Sequence, residues 1–300
     1  MAPNKSDKFY FPHGDLVVQL DRTLFRLHRD ILRTHSGLFE DMLSMPSNDD
    51  TEGTESNPLS ISRDLCSDQS FTILCKFMYP KRVGYRPKIS AHDIEIWDYV
   101  LKATVALQMT HTRKVILDGL SDDAANIKSN PVEFFRISMD YEEAPRDLIV
   151  ESLAILAYRC QRITPEEVGA LGEKGTCYVN HTRERVREGL VLLSEGDNLR
   201  IEATPELLEY LGDKRSACRK AIFRKLIDNM SVSDKHRRTD NEASNIFDLG
   251  SCPRLCDSCV KQGSLNRRLF EAVFDRIVIR CVDEMIPASD PVESHMSLDD

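Results

Sequence analysis

The sequence predicts an α+β domain followed by an all-α extension, and three observations carry that expectation. Near the N-terminus two runs rich in β-branched and aromatic residues, Leu16-Val17-Val18-Gln19-Leu20 and Thr23-Leu24-Phe25-Arg26-Leu27, flank the polar turn Asp21-Arg22 as a β-hairpin. From Arg29 onward the apolar residues fall at helical spacing. Beyond about residue 125 the chain turns almost wholly helical.

The elements follow in order. Residues 1–12 form a short polar tail, within which Lys8-Phe9-Tyr10-Phe11 is an apolar patch. After the hairpin, Ile31, Leu32, Leu38, Phe39, Met42 and Leu43 define two short helices, Arg29 to Thr34 and Gly37 to Ser44, with Ser36 capping the second. Residues 46–58 hold four acidic side chains and no large apolar one, so burial cannot offset their ordering entropy, and a mobile acidic loop is expected. A solvated loop is preferred there over a phosphorylation-regulated segment. Leu59 to Ile61 is a short strand, and Gln69 to Met78 a helix that stops at Tyr79-Pro80. A loop bearing Pro and Gly spans 80–89. Two further helices, Ile94 to Gln108 and Thr110 to Leu120, complete a unit at 13–124.

The helical extension, 125–250, comprises Pro131 to Asp140, Ala144 to Arg159, Thr164 to Leu171, Tyr178 to Leu193 and at least one helix within Pro205 to Met230. Thr164-Pro165-Glu166-Glu167 is a strong helix start: a hydroxyl cap, proline at the first helical position and carboxylates facing the macrodipole. Residues 231–251 are polar and expected to be loose. A last region, 251–300, joins a cysteine cluster to an amphipathic helix, Leu265 to Met285, and an acidic tail.

Composition narrows the function. The 300 residues are 41% apolar and 30% charged with a formal net charge of −9, a soluble balance sized for about two domains and poorly suited as a whole to polyanions. The richest apolar stretch, Leu148 to Tyr158, is broken by Glu151 and Ser152 and is far short of a bilayer span. The N-terminus lacks the apolar core of a secretory signal, so a cytoplasmic or nuclear location with nine reduced cysteines is expected, and the sequons at Asn180 and Asn229 are taken as chance.

Specific residues now point to a family. Asp15-Leu16-Val17-Val18, then Phe25-Arg26-Leu27-His28-Arg29-Asp30-Ile31-Leu32, Ser36, Leu38-Phe39 and Met42 resemble the BTB/POZ signature, in which an Asp-Val strand start precedes Phe-x-x-His-[Lys/Arg]-x-x-Leu and Ser-x-x-Phe-x-x-Met. Phe77-Met78-Tyr79-Pro80, Leu101-Lys102-Ala103-Thr104, Asn130-Pro131-Val132-Glu133, Leu156-Ala157-Tyr158 and Arg162-Ile163-Thr164-Pro165-Glu166-Glu167 with Leu171-Gly172 resemble the fungal, mostly basidiomycete, members. The likeness spans about residues 13–190. It departs at Met109, where an aromatic is usual, and at Asp147-Leu148, where many members carry Trp.

The resemblance implies a helical cluster flanked by a short sheet, acting as a protein-interaction module that homodimerises through its first helix and N-terminal segment. In that reading Phe25, His28, Leu32, Ser36 and Phe39 are core signature residues, with His28, like His35, structural. Asp15 and Arg29 align with a charged pair near the dimer interface, and an intradomain salt bridge is an equal alternative. Phe9 and Phe11 belong to a segment that either exchanges between subunits or packs on its own domain. Met42 and Leu43 mark the face some members offer to a cullin, although no apolar-x-Glu cullin-contact motif stands out.

Two clusters remain. Cys256 and Cys259 have zinc half-site spacing, with Cys252 as a third thiol and His236, Cys281 or His295 as a possible fourth ligand. A packed structural turn is preferred, since cysteine is often a small buried hydrophobe, so no cofactor is assigned and structural zinc stays an alternative; a redox dithiol is less favoured, lacking a thioredoxin-like strand-helix context. Between 214 and 238 nine basic residues meet two acidic ones, with Arg219, Lys220, Arg224 and Lys225 at the centre. Pairs recurring every five residues spread around a helix, so a solvated helix or a localisation signal is preferred over nucleic-acid binding.

No Gly-x-Ser-x-Gly elbow, Gly-rich phosphate loop or His-Glu-x-x-His helix is present, and Glu142-Glu143 and Glu166-Glu167 read as solvated helix-end charges. The expectation is a non-enzymatic, homodimeric interaction module that recruits a protein partner. An adaptor for a cullin-family ubiquitin ligase and a nuclear regulator with a basic nucleic-acid-binding helix are the alternatives.

Overall fold

A computed structural model describes residues 3–45, 52–82, 84–85, 87–196, 202–212, 216–231, 245–249 and 263–286. The chain forms two compact units, one of Met1–Ser129 with Asp140–Pro145 and one of Asn130–Met139 with Arg146–Asp300.

The first unit is built on a four-stranded sheet in the order β1-β3-β2-β4, with β1 at Asn4–Tyr10, β2 at Leu16–Leu20, β3 at Thr23–Leu27 and β4 at Leu59–Ile61. β2 and β3 form the expected antiparallel hairpin, Leu16 opposite Leu27 and Leu20 opposite Thr23. Asp21 closes the turn at φ 50°, a left-handed conformation that aspartate tolerates better than most residues. β4 adds in parallel to β2 and β1 in parallel to β3. Leu16, Val17, Val18 and Leu20 are all buried, so β2 lies inside the unit and is not half-solvated.

Helices cover this sheet: α1 Arg29–His35, α2 Gly37–Ser44, α3 Asp68–Met78, α4 Ile94–Ala106, α5 Thr110–Ser121 and α6 Ala124–Ser129. Ser36 caps α2 by accepting from the Phe39 amide (3.3 Å), and its hydroxyl donates to the Leu107 carbonyl (2.5 Å), tying α2 to the end of α4. Phe71 of α3 meets Phe25 edge to face at 5.0 Å and Phe39 at 6.3 Å, so the hairpin and α2 share one aromatic core. Trp97, the only tryptophan, is buried in this unit and donates to the Ser90 carbonyl at 2.8 Å.

Two expectations for this half need correction. The N-terminal twelve residues are not simply a tail, because Asn4–Tyr10 is a sheet strand; its alternation is too polar to announce itself, and β3 supplies its pairing. The described part of the acidic loop, 52–58, is folded back on the sheet. Gly53 N donates to Asn57 O (2.8 Å), and Val17 N donates to Gly53 O (2.7 Å), so one main-chain bond within the turn and one from the start of β2 order it without apolar side chains. Residues 46–51 lie outside the described residues.

The second unit contains α7 Pro131–Asp140, most of which belongs to it, α8 Arg146–Tyr158, α9 Pro165–Glu195, α10 Pro205–Gly212, α11 Ser216–Ser231 and α12 Gly263–Met285. α8 is central, with Leu148, Ser152, Leu153, Leu156, Ala157 and Tyr158 all buried. α9 opens on a complete capping box between Thr164 and Glu167 and breaks at Gly172 (φ 67°, ψ −176°), a backbone conformation open to glycine and to few other residues. The two expected helices are therefore present, but the second begins at once after Gly172.

Residues expected to be loose include a core segment. Asn245–Leu249 lies against the end of α8, with Ile246 N donating to Tyr158 O at 2.7 Å. Asn229 Nδ2 donates to the carbonyls of Ile246 (2.9 Å) and Asp248 (2.8 Å), so this sequon amide is buried and engaged. Phe247 packs among Tyr158, Phe270 and Phe274 at centroid distances of 5.0, 5.9 and 5.0 Å. Three large apolar residues in five positions account for its burial; residues 232–244 lie outside the described residues.

The carboxylate pairs also differ from expectation. Arg113 holds the Glu143 carboxyl below the ordinary range, and Arg159 grips Glu167 through two parallel bonds of 2.6 and 2.7 Å. Arg113 lies 30 residues from Glu143, and Arg159 lies eight residues from Glu167 across the turn between α8 and α9, so neither pairing follows from helical spacing. Arg183, also buried, donates to the Arg159 carbonyl at 3.2 Å, and burial pulls its guanidinium down to about 10.

Candidate functional site

β1, the start of β2 and α1 bring most of the predicted interface residues together. Phe9 is buried and Phe11 half-buried, and both turn inward onto Tyr79, at 6.3 and 4.9 Å between ring centroids. Phe11 also lies 5.5 Å from the His28 ring. The patch thus packs on its own domain in this single chain. Tyr79, which the sequence marked as a helix stop and as part of the family likeness, is the hub of this cluster. Its hydroxyl accepts the His28 amide at 3.0 Å, and burial foremost raises the phenol to about 12.

His28 is half-buried at the N-cap of α1, and its Nδ1 is enclosed with no partner among the described residues. Its environment is aromatic, as a core residue's would be. His35, at the other end of α1, has its imidazole lowered first by burial and then by the neighbouring His111.

Tyr79→Phe leaves the His28 amide unsatisfied and keeps the ring packing. It is expected to cost about 1–2 kcal/mol. Urea unfolding followed by Trp97 fluorescence measures this, and an unchanged midpoint would remove Tyr79 from the hub.

Asp15 and Arg29 meet, but through main chain. Asp15 Oδ1 accepts the Arg29 amide at 2.9 Å, which satisfies a donor in the first turn of α1. The Arg29 guanidinium reaches the carbonyls of Asp15 and Glu52, each at 3.4 Å. Asp15 is exposed and Arg29 half-buried, so this is an exposed charged corner where β2, α1 and the 52–58 turn converge. The sequence paired the two residues but could not show Gly53 beneath the guanidinium. A Cβ at Gly53 would lie 3.1 Å from Arg29 Nη2 and collide with Leu16 Cδ1.

The remaining predicted residues fall as follows. Phe25, Leu32, Ser36 and Phe39 are buried. Met42 and Leu43 are half-buried at the end of α2, and Met45 beyond them is exposed. These residues belong to a helix separate from the Phe9–Tyr79 cluster. In the second unit, Arg219 and Lys225 are half-buried and Lys220 and Arg224 exposed on α11. Cys252, Cys256 and Cys259, with His236 and His295, lie outside the described residues, while Cys281 is buried. Among the described residues no three His, Cys, Asp or Glu side chains converge to hold a metal, and no helix is long and apolar enough to cross a membrane.

This surface is an edge strand beside an exposed charged corner, with the aromatic cluster of Phe9, Phe11 and Tyr79 packed beneath it. Residues 10–122 match the BTB/POZ domain, a family of non-enzymatic protein–protein interaction modules. No curated protein matches the chain. The match takes in the hairpin, α1 to α5, β4, and every signature residue named above.

Proposed function

We propose that the chain is a non-enzymatic interaction module that self-associates through its BTB/POZ domain and recruits a protein partner. One observation carries the reading: β1 ends the strand order, leaving its outer main-chain groups available to a further strand. Its register on β3 is irregular between Lys5 and Tyr10, so its hold on its own sheet is interrupted there. The Asp15–Arg29 corner lies next to the same strands and fixes the first turn of α1. A cytoplasmic or nuclear setting accords with the free thiols at all the described cysteines.

Light scattering over a dilution series of the full chain tests the proposal, with Asp15→Asn and Arg29→Gln combined as the variant. The expected wild-type species is a dimer of about 68 kDa, twice the 34.2 kDa chain. The variant should weaken it at least about tenfold, equivalent to roughly 1.4 kcal/mol, while Trp97 fluorescence remains native. A strict monomer at every concentration overturns self-association.

A further inference from the structure

The basic residues of α11 are not absorbed by that reading, and their arrangement differs from the even spread expected of pairs five apart. Ala221, Ile222, Leu226 and Asn229 turn into the core, which leaves one side of α11 to solvent. Lys220, Arg224 and Ile227, at i, i+4 and i+7, lie along that side. Arg219 joins them, whereas Lys225 does not line the same space. With Ser194 of α9 and Phe223, these four residues enclose an open cleft of about 400 Å3.

The cleft combines two chemistries. Phe223 is buried at its wall and Ile227 contributes aliphatic surface, while Arg219, Lys220 and Arg224 contribute three cations. None of the three cations has a carboxylate partner among the described residues, although Arg185 and Arg187 of α9 do. In a chain of net charge −9 this is a local reversal of sign. Three cations around an apolar wall favour a short anionic ligand over an extended polyanion, which the surplus negative charge would repel. The volume lies toward the small end of the roughly 300–1,000 Å3 typical of ligand clefts, enough for one or two large side chains.

We propose that the cleft between α9 and α11 is a second docking surface, for a short acidic segment of a partner protein that carries one or two large apolar side chains among its carboxylates. The apolar anchor sits against Phe223 and Ile227, and the carboxylates meet Arg219, Lys220 and Arg224. The surface is independent of self-association, so either proposal can fail without the other.

The test is fluorescence anisotropy on the full chain with three labelled probes: a dodecapeptide of Asp, Glu, Leu and Phe, the same peptide with Leu and Phe replaced by Ser, and an oligo-dT strand. The first probe should bind, and the serine version at least about tenfold more weakly. Lys220→Glu combined with Arg224→Glu should weaken the first probe at least about tenfold with the helical circular dichroism unchanged. No binding, binding insensitive to the double variant, or equal binding of the serine peptide overturns the proposal. Tighter binding of oligo-dT that is lost in the variant also overturns it, in favour of a nucleic-acid surface.

Discussion

Glu167→Ala is expected to destabilise the helical unit by about 2–3 kcal/mol, below the range for breaking a fully buried ion pair because the arginine is buried but the carboxylate is only partly so. Glu167 accepts two bonds from Arg159 and one from the Thr164 amide, so one side chain serves both the ion pair and the capping box. Arg159 is 8% and Arg183 5% exposed, so the deletion leaves two buried guanidinium groups without the carboxylate that faces them. Thermal or urea unfolding followed by circular dichroism measures the loss; a change below about 1 kcal/mol would reduce the pair to an ordinary surface bridge.

The same residue fixes a pH dependence. Burial is the largest single influence on the Glu167 carboxyl and raises it, but the bonds from Arg159 and Thr164 together outweigh burial, and the net shift is downward. A carboxyl lowered on folding contributes its stability above the unfolded value, about 4.3, and loses it as the pH falls through the folded value. The gap between wild type and Glu167→Ala should therefore be constant near neutrality and close in acid. A gap that widened on acidification would contradict the assignment.

The second large effect is expected at Gly53. Valine there combines a β-branched side chain with φ 82°, a conformation it seldom adopts, and its Cβ collides with Leu16, which is 1% exposed. Strain and overpacking together should cost about 2–4 kcal/mol in the first unit. Trp97 fluorescence during urea unfolding follows that unit. Because the turn also carries the Glu52 carbonyl that receives Arg29, the charged corner should loosen at urea concentrations where the wild type is fully folded. Native stability in Gly53→Val would show that the turn can leave the start of β2 without consequence.

What could be read from the sequence was what its neighbours determine. The hairpin, the Ser36 cap and the Thr164 cap each depend on residues within a few positions of one another, and all three form as expected. The core signature was legible through the BTB/POZ resemblance, and its Phe25, Leu32, Ser36 and Phe39 are buried. What escaped depends on distant partners. β1 is a strand because β3 pairs with it, residues 52–58 are ordered because the Val17 amide donates to the Gly53 carbonyl, and Phe247 is a core residue because Phe270 and Phe274 arrive later in the chain. At the candidate site the sequence indicated Asp15, Arg29, Phe9 and Phe11, but Tyr79 and Gly53 became visible only once the chain had brought them beneath those residues.

The bond between Tyr158 and Asp275 spans 117 residues (2.7 Å), and this long separation bears on the order of events during synthesis. At about 5–20 residues per second, Tyr158 is made roughly 6–23 seconds before its partner. The first unit is made up of residues 1–129 and 140–145, so its own chain is complete while the ribosome is still making the rest. For those seconds the apolar face of α8 has neither Phe247 nor α12 to cover it. A nascent chain stalled between Tyr158 and Phe247 would display a folded first unit joined to an open hydrophobic helix, which is the stretch where chaperone demand should concentrate.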